Sequence, residues 1–277
     1  METKSEVELH VHPYFNKYGL EDLVKAMEEN EINVAALEFL NGRIFESLQI
    51  YARDLTKKGY EVEMDSQAVR IKKEGKQYYI LRAAELETNE NFHIITIGGD
   101  TIKPYQPLYK MVEQAINQDL IVVLDHIFVS NKFLGTEIDK EEERKVRKVC
   151  RRYSGEVALE WNGYCIPWVR ELLGGKDVNS KIIKLSETMK KHGYNVPVVA
   201  DTDLHARSKR ALNMIGTARI ISEINLGSGK DIVKSVKNNI FSKKYENVYD
   251  TVPFFSHLLP YFAIPYLLGK FYHRPRG

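Results

Sequence analysis

Cysteine is scarce in this sequence. Cys150 and Cys165 are the only two, and they do not form a Cys-x-x-Cys pair. Structural zinc sites built on thiolates need closely spaced cysteine pairs, so a site of that kind is excluded. The two cysteines are interpreted as reduced thiols, and we therefore expect a cytoplasmic protein without disulfide bonds.

Net charge is also small. The 277 residues include 40 Lys and Arg against 38 Asp and Glu, which leaves +2 at pH 7. A charge of this size does not by itself imply a nucleic-acid-binding surface. The hydrophobic fraction of 43% and the charged fraction of 28% are those of an ordinary globular protein. A chain of this length can bury a full core without disulfides or structural metals.

Uninterrupted apolar runs of membrane-spanning length are not found. Residues 252–272 are strongly apolar and aromatic, but Pro253, Pro260 and Pro265 interrupt them. A membrane-spanning helix needs about 20 apolar residues in a row, and no apolar signal segment precedes the first strand pattern, so no stable membrane insertion is expected. We expect residues 251–277 to form a tail that packs on the rest of the protein or joins subunits of an oligomer. Contact with a membrane surface is the alternative.

Strand and helix patterns alternate over residues 1–250, which predicts one α/β domain. Strands are predicted at 7–12, 34–40, 92–97, 120–124, 157–161 and 196–200, with a long hairpin at 60–87. Helices are predicted at 20–30, 44–58, 107–117, 140–153, 181–192 and 230–239. The alternation implies a mostly parallel sheet with helical crossovers. Seven or eight such units favour a closed barrel, and a doubly wound sheet is the alternative.

Histidines and carboxylates gather at the ends of the predicted strands. His10 and His12 end the first strand, and residues two apart on a strand point to the same side. Asp203 and His205 repeat this spacing after the strand at 196–200. His126 closes the strand at 120–124. These groups are expected at one end of the barrel, where its functional side chains collect.

Two further residues complete this set. Glu85 lies at the end of the hairpin strand and His93 opens the next strand. A single histidine at a strand end is usually a hydrogen-bonded structural residue, but the joint pattern favours a metal site. Imidazoles and carboxylates without thiolates suit zinc, manganese or iron.

Six short motifs, in order, resemble those of the PHP (polymerase and histidinol phosphatase) family. The matching residues are Glu8-Leu9-His10-Val11-His12, Ala84-Glu85-Leu86, Phe92-His93-Ile94-Ile95, Leu124-Asp125-His126, Leu159-Glu160-Trp161-Asn162 and Ala200-Asp201-Thr202-Asp203-Leu204-His205. The resemblance covers about residues 6–245. It implies a distorted (β/α)7 TIM-like barrel that hydrolyses phosphoester bonds with two or three divalent metals.

The resemblance also implies the roles of individual residues. His10, His12, Glu85 and Asp203 would surround one metal, and Glu85 would bridge to a second metal held by His93 and His126. The expected reaction is attack on phosphorus by a hydroxide that bridges the metals. Asp203 and His205 are the catalytic candidates: His205 would act as a general acid or would orient Asp203.

The sequence departs from the family in two places. Leu37-Glu38-Phe39 stands where family members usually have Thr-Asp-His, and residues 13–20 contain no histidine. The ligands of a third metal are therefore incomplete, and we expect two metals. Glu38 and His205 are candidates for an additional metal contact.

The substrate is expected to be a small phosphomonoester, a nucleotide or a short nucleic acid. Arg43, Arg207 and Lys209 are candidates for binding its phosphate, because arginine matches phosphate geometry. The alternative is that these cations are solvated loop residues. Trp161 and Trp168 either stack on a base or pack in the barrel.

Two other functions stay open at this point. An amidohydrolase-like metal-dependent hydrolase also uses a barrel with His-x-His, two later histidines and an Asp. Such enzymes often carry a bridging carboxylated lysine where this chain has Glu85. A degenerate PHP domain acting as an interaction module is the other alternative, to which the missing Thr-Asp-His gives some weight.

Overall fold

The structure of the protein is a computed structural model that describes residues 2–42, 45–128, 140–165 and 177–253, without the side chain of Glu142. The strands are β1 (Glu2–His12), β2 (Ile32–Leu37), β3 (Glu61–Met64), β4 (Ala68–Lys73), β5 (Lys76–Glu87), β6 (His93–Ile97), β7 (Ile121–Asp125), β8 (Val157–Asn162), β9 (Val198–Asp201), β10 (Leu204–His205), β11 (Arg219–Asn225) and β12 (Tyr245–Val248). The helices are α1 (Leu20–Glu29), α2 (Leu48–Lys57), α3 (Leu108–Asn117), α4 (Lys140–Arg152), α5 (Val178–Lys191) and α6 (Gly229–Ser242), with 3-10 turns at Phe45–Ser47 and Lys209–Met214.

The strands form one sheet that curls almost into a closed barrel. Its order is β12-β11-β1-β2-β5-β6-β7-β8-β9. Outside this order, β10 pairs with β1, β4 pairs with β5, and β3 pairs with β4. The two ends of this order meet through the side chain of Asn247 in β12. Its Nδ2 donates to the Val198 carbonyl of β9 at 2.9 Å, and its Oδ1 accepts from the Ala200 backbone amide at 2.8 Å. The barrel expected from the sequence is therefore confirmed.

The expectation of a mostly parallel sheet is wrong for part of the barrel. β1, β2 and β5 are parallel, as are β7, β8 and β9, but β6 is antiparallel to both of its neighbours. Only residues 88–92 join β5 to β6, and a parallel connection needs a dozen or more residues. The sequence patterns also missed the antiparallel strands β11 and β12. No helix among the described residues has the length and apolar character needed to cross a membrane.

The inside of the barrel changes from apolar to acidic along its axis. Side chains two apart on a strand share a face, and the inward-facing positions of the apolar part belong to one buried cluster. One step further toward the carboxyl ends, the same face carries carboxylates. The pairs are Ala36 and Glu38, Ala83 and Glu85, Val123 and Asp125, Ala158 and Glu160, and Val199 and Asp201. The fold therefore directs several buried acids toward one end of the barrel.

Glu8 joins the parts of the chain that close the barrel. Its buried carboxylate accepts hydrogen bonds from the backbone amides of Thr202 and Gly216, both at 3.0 Å, and from the Thr202 hydroxyl. It also accepts from the His10 amide at 3.3 Å. Hydrogen bonds of Glu8 thereby connect β1 to the segment after β9 and to the segment before β11.

Replacing this carboxylate is expected to weaken the closure of the barrel. Glu8→Ala should lower the free energy of unfolding by roughly 2–4 kcal/mol, because it leaves buried amides without an acceptor. Urea denaturation measures the change, and Glu61→Ala is the matched control because Glu61 is exposed on β3. A loss no greater in Glu8→Ala than in the control would contradict the role given to Glu8.

Candidate metal centre

The first group of site residues combines the end of β1 with the segment after β9. The Nε2 atoms of His10 and His12 are 2.9 Å apart. The Asp203 Oδ1 atom lies 3.5 Å from Nε2 of His10 and 3.6 Å from Nε2 of His12. Glu85 Oε2 lies 3.3 Å from Nε2 of His12. The four side chains predicted to surround one metal are therefore brought together.

The second group lies around the β5–β6 connection and the end of β7. Glu85 Oε1 contacts Nδ1 of His93 and lies 3.8 Å from Nε2 of His126. Asp125 Oδ2 is 3.0 Å from Nε2 of His126 and 3.9 Å from Nδ1 of His93. The two oxygens of Glu85 thus face different groups of imidazoles, as expected for a carboxylate that bridges two cation positions.

The backbone is strained at two of these residues. His126 has φ of +23° and Asp203 has φ of +54°. An aspartate visits this region at modest cost, whereas a histidine does so rarely. Strained backbone collects at functional sites when the surrounding structure enforces it. Here the His126 amide donates to Glu160 Oε2 at 2.8 Å, which helps to hold the turn.

Sequence reasoning did not count Glu160 among the site residues. The Glu160 carboxylate lies beneath the ligands and faces Nδ1 of His10 at 2.8 Å. It also accepts from the Asn162 amide at 3.1 Å, and that amide donates to Asp203 Oδ2 at 2.9 Å. Groups that bind the far side of a ligand fix its orientation and its tautomer. The available signal was an acid on the inward face of the apolar strand Val157–Asn162, and the same signal marks Asp125.

Carboxylates predominate in the buried site. Glu8, Glu38, Glu85, Asp125, Glu160, Asp201 and Asp203 are all buried. Glu38 is fully buried, and within the described part of the chain neither of its carboxylate oxygens has a hydrogen-bond partner. Burial, reinforced by nearby carboxylates, raises the pKa of Glu38 well above its ordinary value. A buried carboxylate without a partner costs several kcal/mol unless a cation compensates it.

The histidines divide into two electrostatic classes. Burial, reinforced by His205, lowers the pKa of His12 to about 3, and burial with His93 also lowers the pKa of His126. Burial alone would lower the pKa of His10, but the Asp203 and Glu38 carboxylates outweigh it and raise that pKa. Metal binding requires the neutral imidazole, and the lowered pKa of His12 and of His126 favours that form.

These residues fit divalent cations. Two ligands that subtend about 90° at a metal, as in octahedral coordination with bonds of about 2.1 Å, lie about 3.0 Å apart. This distance is close to the 2.9 Å between the Nε2 atoms of His10 and His12. The donors are imidazole nitrogens and carboxylate oxygens, the set that zinc, manganese and iron accept. The Glu38 oxygens are 0% exposed and accept no hydrogen bond within the described residues, although Nε2 of His10 lies 3.5 Å from Oε2, and a cation would satisfy them.

The rim of the site contains the remaining candidates. The His205 ring stacks on His12 with ring centres 4.3 Å apart, and its Nε2 is 3.2 Å from Asp203 Oδ1. The Arg207 guanidinium lies 5.3 Å from the centre of the Tyr14 ring. Lys209 is 71% exposed and pairs with Asp22 of α1 at 2.6 Å.

The remaining candidates from the sequence are the two tryptophans, Arg43 and the C-terminal tail. Trp161 is buried and its ring lies 5.1 Å from that of Tyr249, so Trp161 packs in the fold. Arg43 and Trp168 lie outside the described residues, as does the tail beyond Pro253. Their roles stay predictions.

Two solved structures share this fold. One is a two-domain protein from Bacteroides vulgatus that contains a predicted PHP-like metal-dependent phosphoesterase, with a TM-score of 0.53 and 11% identity over 90% of this chain. The other is the lesion-specific endonuclease PfuEndoQ from Pyrococcus furiosus, with a TM-score of 0.51 and 12% identity over 88% of this chain. The matches span 66% and 58% of those two chains. No family model and no curated protein sequence matches this chain. The likeness confirms the PHP-type barrel fold that the sequence motifs implied.

Replacing Glu38 by glutamine tests whether its carboxyl group serves to bind a metal or to stabilise the fold. Glu38→Gln should stabilise the metal-free protein at pH 7 by about 1 kcal/mol, a rise of roughly 2–4 °C in Tm. Burial of a carboxyl with a raised pKa costs free energy above its ordinary pKa, whether the group stays charged or takes up a proton, and an amide avoids that cost. The rise in Tm on adding Mn²⁺ should become smaller. Thermal denaturation with and without chelator measures both effects, and Glu46→Gln, at a carboxylate that is 69% exposed, is the control. Destabilisation of the metal-free protein by Glu38→Gln would contradict this account.

Proposed function

We propose that the chain is a metal-dependent phosphoesterase that hydrolyses a phosphomonoester or the phosphate ester of a nucleotide or oligonucleotide. The observation that carries the proposal is Glu85, which turns one oxygen toward His12 and the other toward His93. Two cation positions that share a carboxylate suit phosphoester chemistry, in which charge develops on attacking and leaving oxygens. The proposal is also supported by the names of the two structural neighbours, a protein that contains a predicted PHP-like metal-dependent phosphoesterase and a lesion-specific endonuclease.

The ligand sets follow from the two groups of side chains. His10, His12 and Glu85 would hold one cation, with Asp203 as a further ligand 3.5 Å from His10, and Glu85, His93, Asp125 and His126 would hold the second. Divalent metals bound there would supply Lewis acidity and would neutralise charge on the ester oxygens. Glu160 and Asn162 would keep the ligands oriented, because each binds a ligand on its far side.

His205 is proposed to protonate the leaving oxygen. Its side chain is 25% exposed, so a substrate can reach it, while its Nε2 lies 3.2 Å from Asp203 Oδ1. Stacking on His12 fixes the plane of the ring. A general acid must be positioned within hydrogen-bond reach of the departing oxygen, and His205 stands at the rim where that oxygen would lie.

Arg207 is proposed to bind the phosphate. Its guanidinium lies against the ring of Tyr14, and Tyr14 follows the ligand His12 by two residues. A guanidinium can donate two hydrogen bonds to phosphate oxygens. Lys209 is a weaker candidate because its ammonium pairs with Asp22. Arg43 is retained as a third candidate from the sequence.

The amidohydrolase alternative is disfavoured by the identity of the shared ligand. That chemistry often uses a carboxylated lysine between its metals, whereas Glu85 occupies this place here, and no lysine is buried within the described residues. The interaction-module alternative is disfavoured by the two sets of candidate ligands. The first experiment is elemental analysis with turnover of p-nitrophenyl phosphate and bis-p-nitrophenyl phosphate by wild type and His10→Ala.

Each result of this experiment bears on the proposal. Two metals per chain, with metal-dependent turnover that His10→Ala abolishes, would support the phosphoesterase, and the preferred ester would separate a monoesterase from a diesterase. Bound metal without turnover of either ester would favour the amidohydrolase alternative. Absence of metal and of activity would favour an interaction module.

The role of His205 is tested by varying the leaving group. His205→Gln should reduce kcat for glycerol phosphate by about 10²–10⁴-fold and should affect p-nitrophenyl phosphate far less, because p-nitrophenolate leaves without a proton. Metal content should stay unchanged. The control is His192→Gln, since His192 is exposed at the end of α5. Equal losses for both esters, together with loss of metal, would show instead that His205 is a ligand.

A further inference from the structure

A cavity of about 460 Å³ adjoins the candidate metal centre. It lies between the segment after β1, the segment after β2 and helix α2. Its lining residues are Tyr14, Phe15, Asn16, Phe39, Gly42, Ser47 and Tyr51. Its volume is within the range of small-molecule sites, about 300–1,000 Å³.

The cavity is adjacent to the metal ligands along the chain and in space. Tyr14 follows His12 by two residues, so their Cα atoms are at most about 7 Å apart, and Phe39 directly follows Glu38. An ester whose phosphate occupied the metal centre would therefore be able to extend its organic group into this cavity.

The walls of the cavity are largely aromatic. Tyr14, Phe15, Phe39 and Tyr51 contribute four rings. The rings of Phe15 and Tyr51 are 4.6 Å apart, and Tyr18 supports this wall because its hydroxyl accepts a hydrogen bond from the Tyr14 amide at 2.9 Å. The wall is thus built before any ligand arrives.

Phe39 gives the cavity an open aromatic face. Phe39 is 42% exposed although it follows a fully buried glutamate. A side chain at Gly42 would place its Cβ 3.0 Å from Cβ of Phe39, so the glycine leaves room for this ring. A large exposed ring in a concave site beside a reaction centre is suited to stacking on a flat ligand.

From this arrangement, and resting on the proposed phosphoesterase function, we propose that the cavity binds the nucleobase of a nucleotide substrate whose phosphate lies at the metal centre. Flat rings stack on every base, and each such contact contributes to binding. Asn16 and Ser47 add polar atoms to the lining, which suit the heteroatoms at the edge of a base better than a plain aryl ring. The Arg207 guanidinium lies 5.3 Å from the centre of the Tyr14 ring, which is part of the cavity wall.

The test compares ligands that share a phosphate or a ring. KM and kcat are measured on the metal-loaded protein for adenosine 5′-monophosphate, phenyl phosphate and ribose 5-phosphate, together with the Kd of adenosine. The wild type should prefer the nucleotide to ribose 5-phosphate. Phe39→Leu, which keeps apolar bulk but removes the ring, should weaken nucleotide and adenosine binding by about tenfold. It should leave ribose 5-phosphate unchanged.

Controls separate the cavity from the chemistry. Tyr109→Ala removes an exposed ring on α3 that is not among the lining residues, and it should change nothing. Phe39→Tyr keeps the ring and should retain binding. Equal losses for the nucleotide and ribose 5-phosphate, or no preference between them in the wild type, would overturn the proposal. Equal affinity for phenyl phosphate would overturn the assignment to a base. Failure of the phosphoesterase function would instead appear as no turnover of any ester, and adenosine binding would still test the cavity.

Discussion

The concentration of buried carboxylates at one end of the barrel is the constraint on which the rest of this structure depends. The inward-facing positions are apolar along most strands and become acidic where the strands end, as at Val123 and Asp125. So much negative charge in a site of low dielectric is unstable without compensation. Imidazoles supply part of the compensating positive charge. The orientation of Glu85 between two groups of histidines indicates that divalent cations supply the rest of this charge.

The same constraint explains why the supporting network is extensive. Glu160 holds His10 from behind and also fixes the turn at His126, while Glu8 joins β1 to the segments that precede Asp203 and β11. Ligand geometry must be accurate to a fraction of an ångström for metal chemistry. Buried carboxylates therefore serve both purposes: Glu8 holds the closure of the barrel, and Glu160 holds the orientation of the ligands.

Much of the fold and the centre of the site could be predicted from the sequence, because the spacing of His10 and His12 fixes a common face on any strand. The direction of β6 was not predicted, since the alternation of strands and helices suggested parallel crossovers. Residues 88–92 are too few for a parallel connection, and β6 is therefore antiparallel to β5. Glu160 was missed for a different reason. Its role depends on contacts with residues 150 positions away in the chain, which no local pattern reports.

The central claim is that two cations share Glu85, and anomalous diffraction from crystals grown with Mn²⁺ tests it most directly. Two anomalous peaks are expected, one among His10, His12, Glu85 and Asp203, and one among Glu85, His93, Asp125 and His126. Ligand distances near 2.1 Å would identify direct coordination. Peaks elsewhere, or none within this cluster at saturating metal, would contradict the account.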